Sequence, residues 1–231
     1  PIRAQATSWR ATEPSSFTRI GRPSDRRLAE ASGLAPSVAN PGLYWTIGDS
    51  GNPPELLAID STGALRGRVM LAGTTNTDWE AVSVGPCGER TCVYVGDLGD
   101  NRERRSAVAI YRIVAPRISD TTPITVSQVE RLRLRYPGNL RHDVAAMAAL
   151  PDGALLLVTK EIGSRMVVRT YRDLYVFSRS SDGSVEPVVS CNIVGREPQG
   201  EGVAWLPDGR LLLLSERGLF KTGTVHAAKC G

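Results

Sequence analysis

Apolar residues in this chain come in short, dense runs separated by turn signals, and four of those runs repeat one layout. Each copy opens with a short strand of small residues, turns, and returns along a strongly apolar strand that ends in polar or acidic residues. The copies are Glu30–Leu34 with Leu43–Asp49, Asp78–Ser83 with Cys92–Asp97, Asp143–Ala148 with Leu155–Lys160, and Gln199–Trp205 with Leu211–Glu216. Aligning Glu30, Glu80, Ala145 and Glu201 sets them at intervals of about 50–65 residues, a period typical of propeller blades. No amphipathic helical pattern of useful length interrupts them. The pattern predicts an all-β chain folded as a small β-propeller of four blades. Five blades is the alternative, because Met166–Thr170 and Leu174–Ser178 admit another partition. A sandwich or barrel with coincidental self-similarity is the competing architecture.

The first blade is expected to use Ala31–Pro36, Leu43–Ile47, Leu56–Asp60 and Leu65–Leu71, with a turn at Asp60-Ser-Thr-Gly63. The second uses Ala81–Gly85, Thr91–Val95, Ala107–Val114 and Val129–Leu134, its last two strands separated by a long connection containing Pro and Thr. The third runs from Asp143 to Val194, and the fourth from Glu201 through Leu219–Val225. Pro-Asp-Gly and Asp-Gly turns at 151–153, 182–183 and 207–209 supply the positive φ angles that hairpins need. Residues 1–15, rich in Ser, Thr, Ala and Pro, read as a loose arm before a single domain over 16–231. A strand at Phe17–Pro23 precedes the first blade. It is expected to complete the last one, closing the ring without a free sheet edge.

Composition narrows the function classes. At 231 residues and 41% hydrophobic content the chain can bury a full core, and no apolar run reaches the ~18 residues of a membrane span. It begins at Pro1, which fits either a removed leader or a boundary set by cloning. The net charge of +4 is modest, and the arginines are scattered without interleaved aromatics. They read as solvated faces, not as a nucleic-acid track. Of four cysteines, Cys87 and Cys92 flank a hairpin turn and can face each other across its base. Cys191 and Cys230 form the second expected pair, pinning the C-terminus to the third blade. No zinc-ligand spacing is present, so two disulfides and an oxidising compartment, secreted or periplasmic, are expected.

Hairpin geometry carries the candidate chemistry. The start of a first strand and the end of its antiparallel partner lie at the same end of a blade. Glu30, Asp78, Glu80, Asp143 and Glu201 should therefore gather with Asp49, Asp97, Asp100, Glu161 and Glu216 at one mouth of the channel. So many carboxylates must be neutralised. A hard cation such as Ca²⁺, held by Glu30, Asp78, Glu80, Asp143 and Glu201, is one means. Ion pairs to Lys160, Arg169, Arg217 and the Arg102–Arg105 cluster are the other. The third copy has Ala145 where the others have Glu, and Lys160 where two others have Asp. That departure weakens a symmetric metal site. Asp49, Asp97, Asp100 and Trp79 are candidate ligand contacts, although Trp79 also suits core packing. Glu80 and His142 are candidate general bases, and Ser50 in Gly-Asp-Ser-Gly reads as a turn serine before a nucleophile.

At Glu30–Leu34, Trp45–Gly51, Asp78–Val82, Tyr94–Asn101, Arg169–Tyr171 and Gln199–Glu201 the chain resembles secreted bacterial propellers of the esterase-like phytase and SMP-30/strictosidine-synthase-like type. The resemblance implies a divalent cation on the acidic face, orienting a phosphate ester, lactone or similar oxygen-rich substrate. It carries the ligand role to Glu30, Asp78, Glu80 and Glu201. It also implies a ring contracted by one blade, between Thr159-Lys-Glu161 and Arg169-Thr-Tyr171. The expected function is accordingly a binding or interaction module for a small molecule, glycan or protein. A metal-dependent hydrolase of phosphate or carboxylic esters or lactones is the alternative.

Overall fold

The computed structural model describes residues 16–136, 140–159, 168–169, 173–179, 185–192, 199–206, 208, 210–216 and 223–229. Its only helical turn among them is a 3-10 turn at Arg26–Leu28. Strand β1 (Ser16–Gly21) leads into the first blade, formed by β2 (Ala31–Pro36), β3 (Leu43–Gly48), β4 (Glu55–Asp60) and β5 (Leu65–Leu71) as an antiparallel meander. The second blade contains β6 (Trp79–Cys87), β7 (Arg90–Asp97) and β8 (Val108–Val114). Its chain then makes β9 (Ile124–Val126) before adding β10 (Glu130–Leu134) beside β8.

The third copy supplies the hairpin β11 (Val144–Ala149) and β12 (Leu155–Thr159). Next come β13 (Val168–Arg169), β14 (Asp173–Arg179) and β15 (Val185–Asn192), which form a sheet of their own. The last blade is β16 (Gln199–Trp205), β17 (Leu211–Glu216) and β18 (Thr224–Lys229), completed by β1.

The closure is the one the N-terminal apolar segment predicts. β1 runs antiparallel to β18, with Phe17 opposite Ala228 and Arg19 opposite His226. A β-sheet edge is thereby covered by the opposite end of the chain. The inner strands pack side by side, β16 on β2, β2 on β6, and β6 on β11. Gly33 allows one of these approaches. Its φ is 67°, and a Cβ there would lie 2.9 Å from the Val82 backbone nitrogen.

Burial on both sheet faces explains why the second strands are almost continuously apolar. Along β3, Trp45 and Ile47 enter the seam with the second blade, where they meet Trp79, Val93 and Val95. Tyr44, just before Trp45, turns to the opposite seam, against Leu212, Leu214 and Val225 of the last blade. β7 divides in the same way. Val93 and Val95 face the first blade, while Cys92 and Tyr94 pack with Val144 and Met147 of β11. Period-two alternation thus sorts side chains between two cores, where a one-sided sheet would sort them between core and solvent.

Two elements depart from the sequence expectation. β9, inside the long Pro- and Thr-containing connection, pairs in parallel with β5 and makes a fifth strand of the first blade. Asn40 fastens that connection by donating to the Pro116 carbonyl (2.9 Å) and accepting from the Ile118 amide (2.8 Å). Three residues are too few for a strand to show in the pattern. The last strand lies at Thr224–Lys229, beyond the expected Leu219–Val225. Alternation there is carried by Val225 and Ala227, which enter the seam with the first blade. Alanine gives that alternation little weight in a sequence.

Candidate functional site

The register of the repeated hairpins contains a shared irregularity that builds the site. Pairing skips one residue between Trp79 and Ala81, between Val144 and Ala146, and between Gly200 and Gly202. The skipped residues are Glu80, Ala145 and Glu201, three of the four positions that align in the sequence; the fourth, Glu30, precedes β2, whose register shift falls between Ser32 and Ala35. A bulge adds an unpaired residue and re-aims its side chain. The aligned position is therefore a backbone feature first, and an acid only where the sequence provides one.

Three carboxylates meet at the seam between the first two blades. Asp49 follows β3, Asp78 precedes β6, and Glu80 sits at its bulge. One oxygen from each lies within 4.8 Å of the others, and none of the three is exposed. Asn76 sets this proximity. Its Nδ2 donates to the carbonyls of Gly48 (2.9 Å) and Asp49 (2.8 Å), while its Oδ1 accepts the Trp79 amide (3.0 Å). One buried side chain thus ties the end of β3 to the start of β6. Ser32 adds a bond between inner strands, its hydroxyl donating to the Glu80 carbonyl at 3.1 Å. Only oxygen ligands are on offer, which suits a hard cation such as Ca²⁺ or Mg²⁺ over a soft metal.

Beyond Asp78 the loop after β7 is organised by its own acids. The Asp97 carboxylate accepts the Asp78 amide at 3.0 Å and pairs with Arg105 Nη1 at 2.9 Å, although its side chain is only 2% exposed. Arg105 Nη1 also donates to the Gly99 carbonyl at 2.8 Å. Asp100 accepts the amides of Arg104 (2.9 Å) and Arg105 (2.7 Å). Its own amide donates to Asp143 Oδ1 at 2.8 Å, which joins the second blade to the start of the third. Asp97 and Asp100 therefore hold this loop, and Arg105 supplies part of the neutralising charge.

The other candidates whose side chains are described, Glu30, Trp79 and His142, make contacts of their own. Glu30 is exposed and accepts from Asn52 Nδ2 at 2.7 Å. Trp79 is fully buried, its Nε1 donating to the Thr75 carbonyl and its ring lying 5.8 Å from that of Tyr111. His142 packs edge-on against Tyr136 at 4.8 Å. Glu201 and Glu216 are described only in their backbone, as is Arg169. Lys160, Glu161 and Arg217 lie outside the described residues. The Cys87–Cys92 disulfide is formed, with Cα atoms 5.8 Å apart, at the turn end of the second hairpin, away from the carboxylates. The expected partner pair includes Cys230, which is outside the described residues.

The residue that sequence reasoning missed is Asn76. Its signal is an Asn two positions before Asp78, where a short polar side chain can bridge backbone groups. No helix of the described residues is long and apolar enough to cross a membrane.

No known family and no curated protein matches the chain. Among solved structures, similar chains include a gluconolactonase from Xanthomonas campestris, at 12% identity and a TM-score of 0.38, covering 96% of this chain and 98% of that one. Another is YCF48 bound to D1 peptide, at 13% identity and a TM-score of 0.33, covering 90% and 68% respectively. Both likenesses are remote.

Proposed function

We propose that this chain is a ligand-binding β-propeller whose channel mouth takes a divalent cation, Ca²⁺ by ligand chemistry, through Asp49, Asp78 and Glu80. The observation that carries the reading is the approach of three carboxylate oxygens from two blades to within 4.8 Å of one another. Three carboxylates so close repel one another, and a divalent cation between them offsets that repulsion. The ring supports the reading by supplying these groups from rigid strand ends and a bulge, so little ordering is left to binding. A small molecule, glycan or protein would then meet the cation at the channel face.

The Cys87–Cys92 disulfide supports work in an oxidising compartment, secreted or periplasmic. Calorimetric titration of EDTA-treated protein with Ca²⁺ tests the cation. Saturable binding that weakens at least tenfold in Asp78→Asn is expected. No binding, or an unchanged isotherm in that variant, overturns the reading.

Ester or lactone hydrolysis at the same mouth is a second reading, favoured by Glu80. Its carboxylate stands within the cluster, where it could accept a proton from an attacking water. That reading requires Glu80→Gln to abolish an EDTA-sensitive turnover, and an unaffected turnover removes it.

A further inference from the structure

A cleft of about 310 Å³ opens beside the carboxylates, sharing Asp78 with them, and its lining includes Arg102, Arg104 and Arg105. The three arginines differ in what they already do. Arg105 is engaged by Asp97 and the Gly99 carbonyl. Arg102 and Arg104 are exposed, and their guanidinium groups have no carboxylate partner among the described residues. An exposed arginine is ordinarily just solvated. Here, however, Arg102 and Arg104, without a carboxylate partner among the described residues, line a single concavity together with the paired Arg105.

The loop bearing them is also held in shape. Glu103 has a φ of 50°, the one positive value at a non-glycine among the described residues. Its amide donates to the Asp100 carbonyl at 2.7 Å, and its carbonyl accepts from Arg141 at 3.1 Å. Non-glycine residues persist in that region only where their surroundings enforce it, and such positions cluster at ligand clamps.

We propose that this cleft is an anion subsite, in which Arg102 and Arg104 take the carboxylate or phosphate group of a ligand. A planar guanidinium offers two parallel N–H donors to either oxyanion. Two carboxylates line the same cleft and must not repel the anion. Asp100 has its charge met by two backbone amides, and Asp78 belongs to the cation cluster. An anion in the cleft would thus sit between guanidinium groups on one side and the proposed cation on the other. The inference deepens the cation reading by naming the ligand class. It remains separable from it, because the arginines lie outside the carboxylate cluster.

The test is titration of the full chain with inorganic phosphate and, separately, with acetate, each with and without saturating Ca²⁺. Wild type is expected to bind at least one of the two anions, and which one identifies the ligand group. The double variant Arg102→Ala/Arg104→Ala is expected to lose at least tenfold in that affinity, while its thermal midpoint and Ca²⁺ isotherm stay unchanged. Anion binding that survives without Ca²⁺ binding upholds the subsite and removes only the cation. Absence of anion binding in wild type, or equal affinity in the double variant, overturns the subsite whatever Ca²⁺ does.

Discussion

Asp49 and Asp97 end the second strand of successive repeats, each after a glycine and an apolar run, yet they meet opposite environments. Asp49 is half-buried and joins Asp78 and Glu80. Asp97 is 1% exposed and pairs with Arg105. The loop after each acid makes the difference. Beyond Asp49 the chain turns at once through Ser50, Gly51 and Asn52, and the Asp49 carboxylate accepts the Ser50 amide. Beyond Asp97 it makes a longer excursion that returns an arginine to the same carboxylate. A repeat fixes where the backbone puts a side chain, and the connection out of the strand decides whether that side chain binds or builds.

The largest expected break in this contrast is in stability. Asp97→Ala strands Arg105 and removes the acceptor of the Asp78 amide, so it should cost about 3–5 kcal/mol. Asp49→Ala should cost under about 1 kcal/mol. Urea denaturation of both variants checks this, and equal losses would mean that the two acids share one role. Reducing Cys87–Cys92, whose sequence separation is 5, should cost about 2 kcal/mol by chain entropy. It should leave Ca²⁺ binding intact, because the bridge lies at the opposite end of the blade.

Binding should divide the pair the other way. Asp49→Asn is expected to weaken Ca²⁺ at least tenfold with little change in denaturation midpoint. Gly99→Ala asks whether placement matters as well as charge. A Cβ there would lie 2.4 Å from the Asp78 carboxylate, so Ca²⁺ affinity should fall severalfold with every acid still present. Unchanged affinity would show that Asp78 can move freely.

The smallest effect belongs to Asp60, a turn acid of the first blade. Partial burial raises its pKa, but hydrogen bonds from Thr62 and Arg66 outweigh that and leave it below the usual value. A lowered folded pKa contributes stability above the unfolded value of about 3.9, and the contribution disappears as pH falls through the folded one. Asp60→Asn should therefore lose at most about 1 kcal/mol at neutral pH, a gap that closes in acid. A gap that persists at low pH would assign the effect to packing.

Much of the fold was legible because burial on both faces writes long apolar runs, as at Leu211–Leu214, and turns such as Pro151-Asp-Gly153 punctuate them. The alignment of Glu80 with Ala145 and Glu201 marks the bulge itself, although nothing in the sequence says that the shared property is backbone geometry. Three sites were not legible. Asn76 acts through backbone carbonyls of another blade, and an Asn two positions before Asp78 does not say which carbonyls it reaches. β9 is held by partners in β5 that are distant along the chain. The burial of Asp97 depends on Arg105, and a line of nearby arginines does not reveal which one turns inward.

A crystal structure grown in millimolar Ca²⁺ would put the carboxylate centre to its sharpest test. Density is expected for one ion with Asp49, Asp78 and Glu80 oxygens at about 2.3–2.6 Å, completed by water or backbone oxygen. Lysine or arginine nitrogens filling that position, with no ion between the three acids, would contradict it.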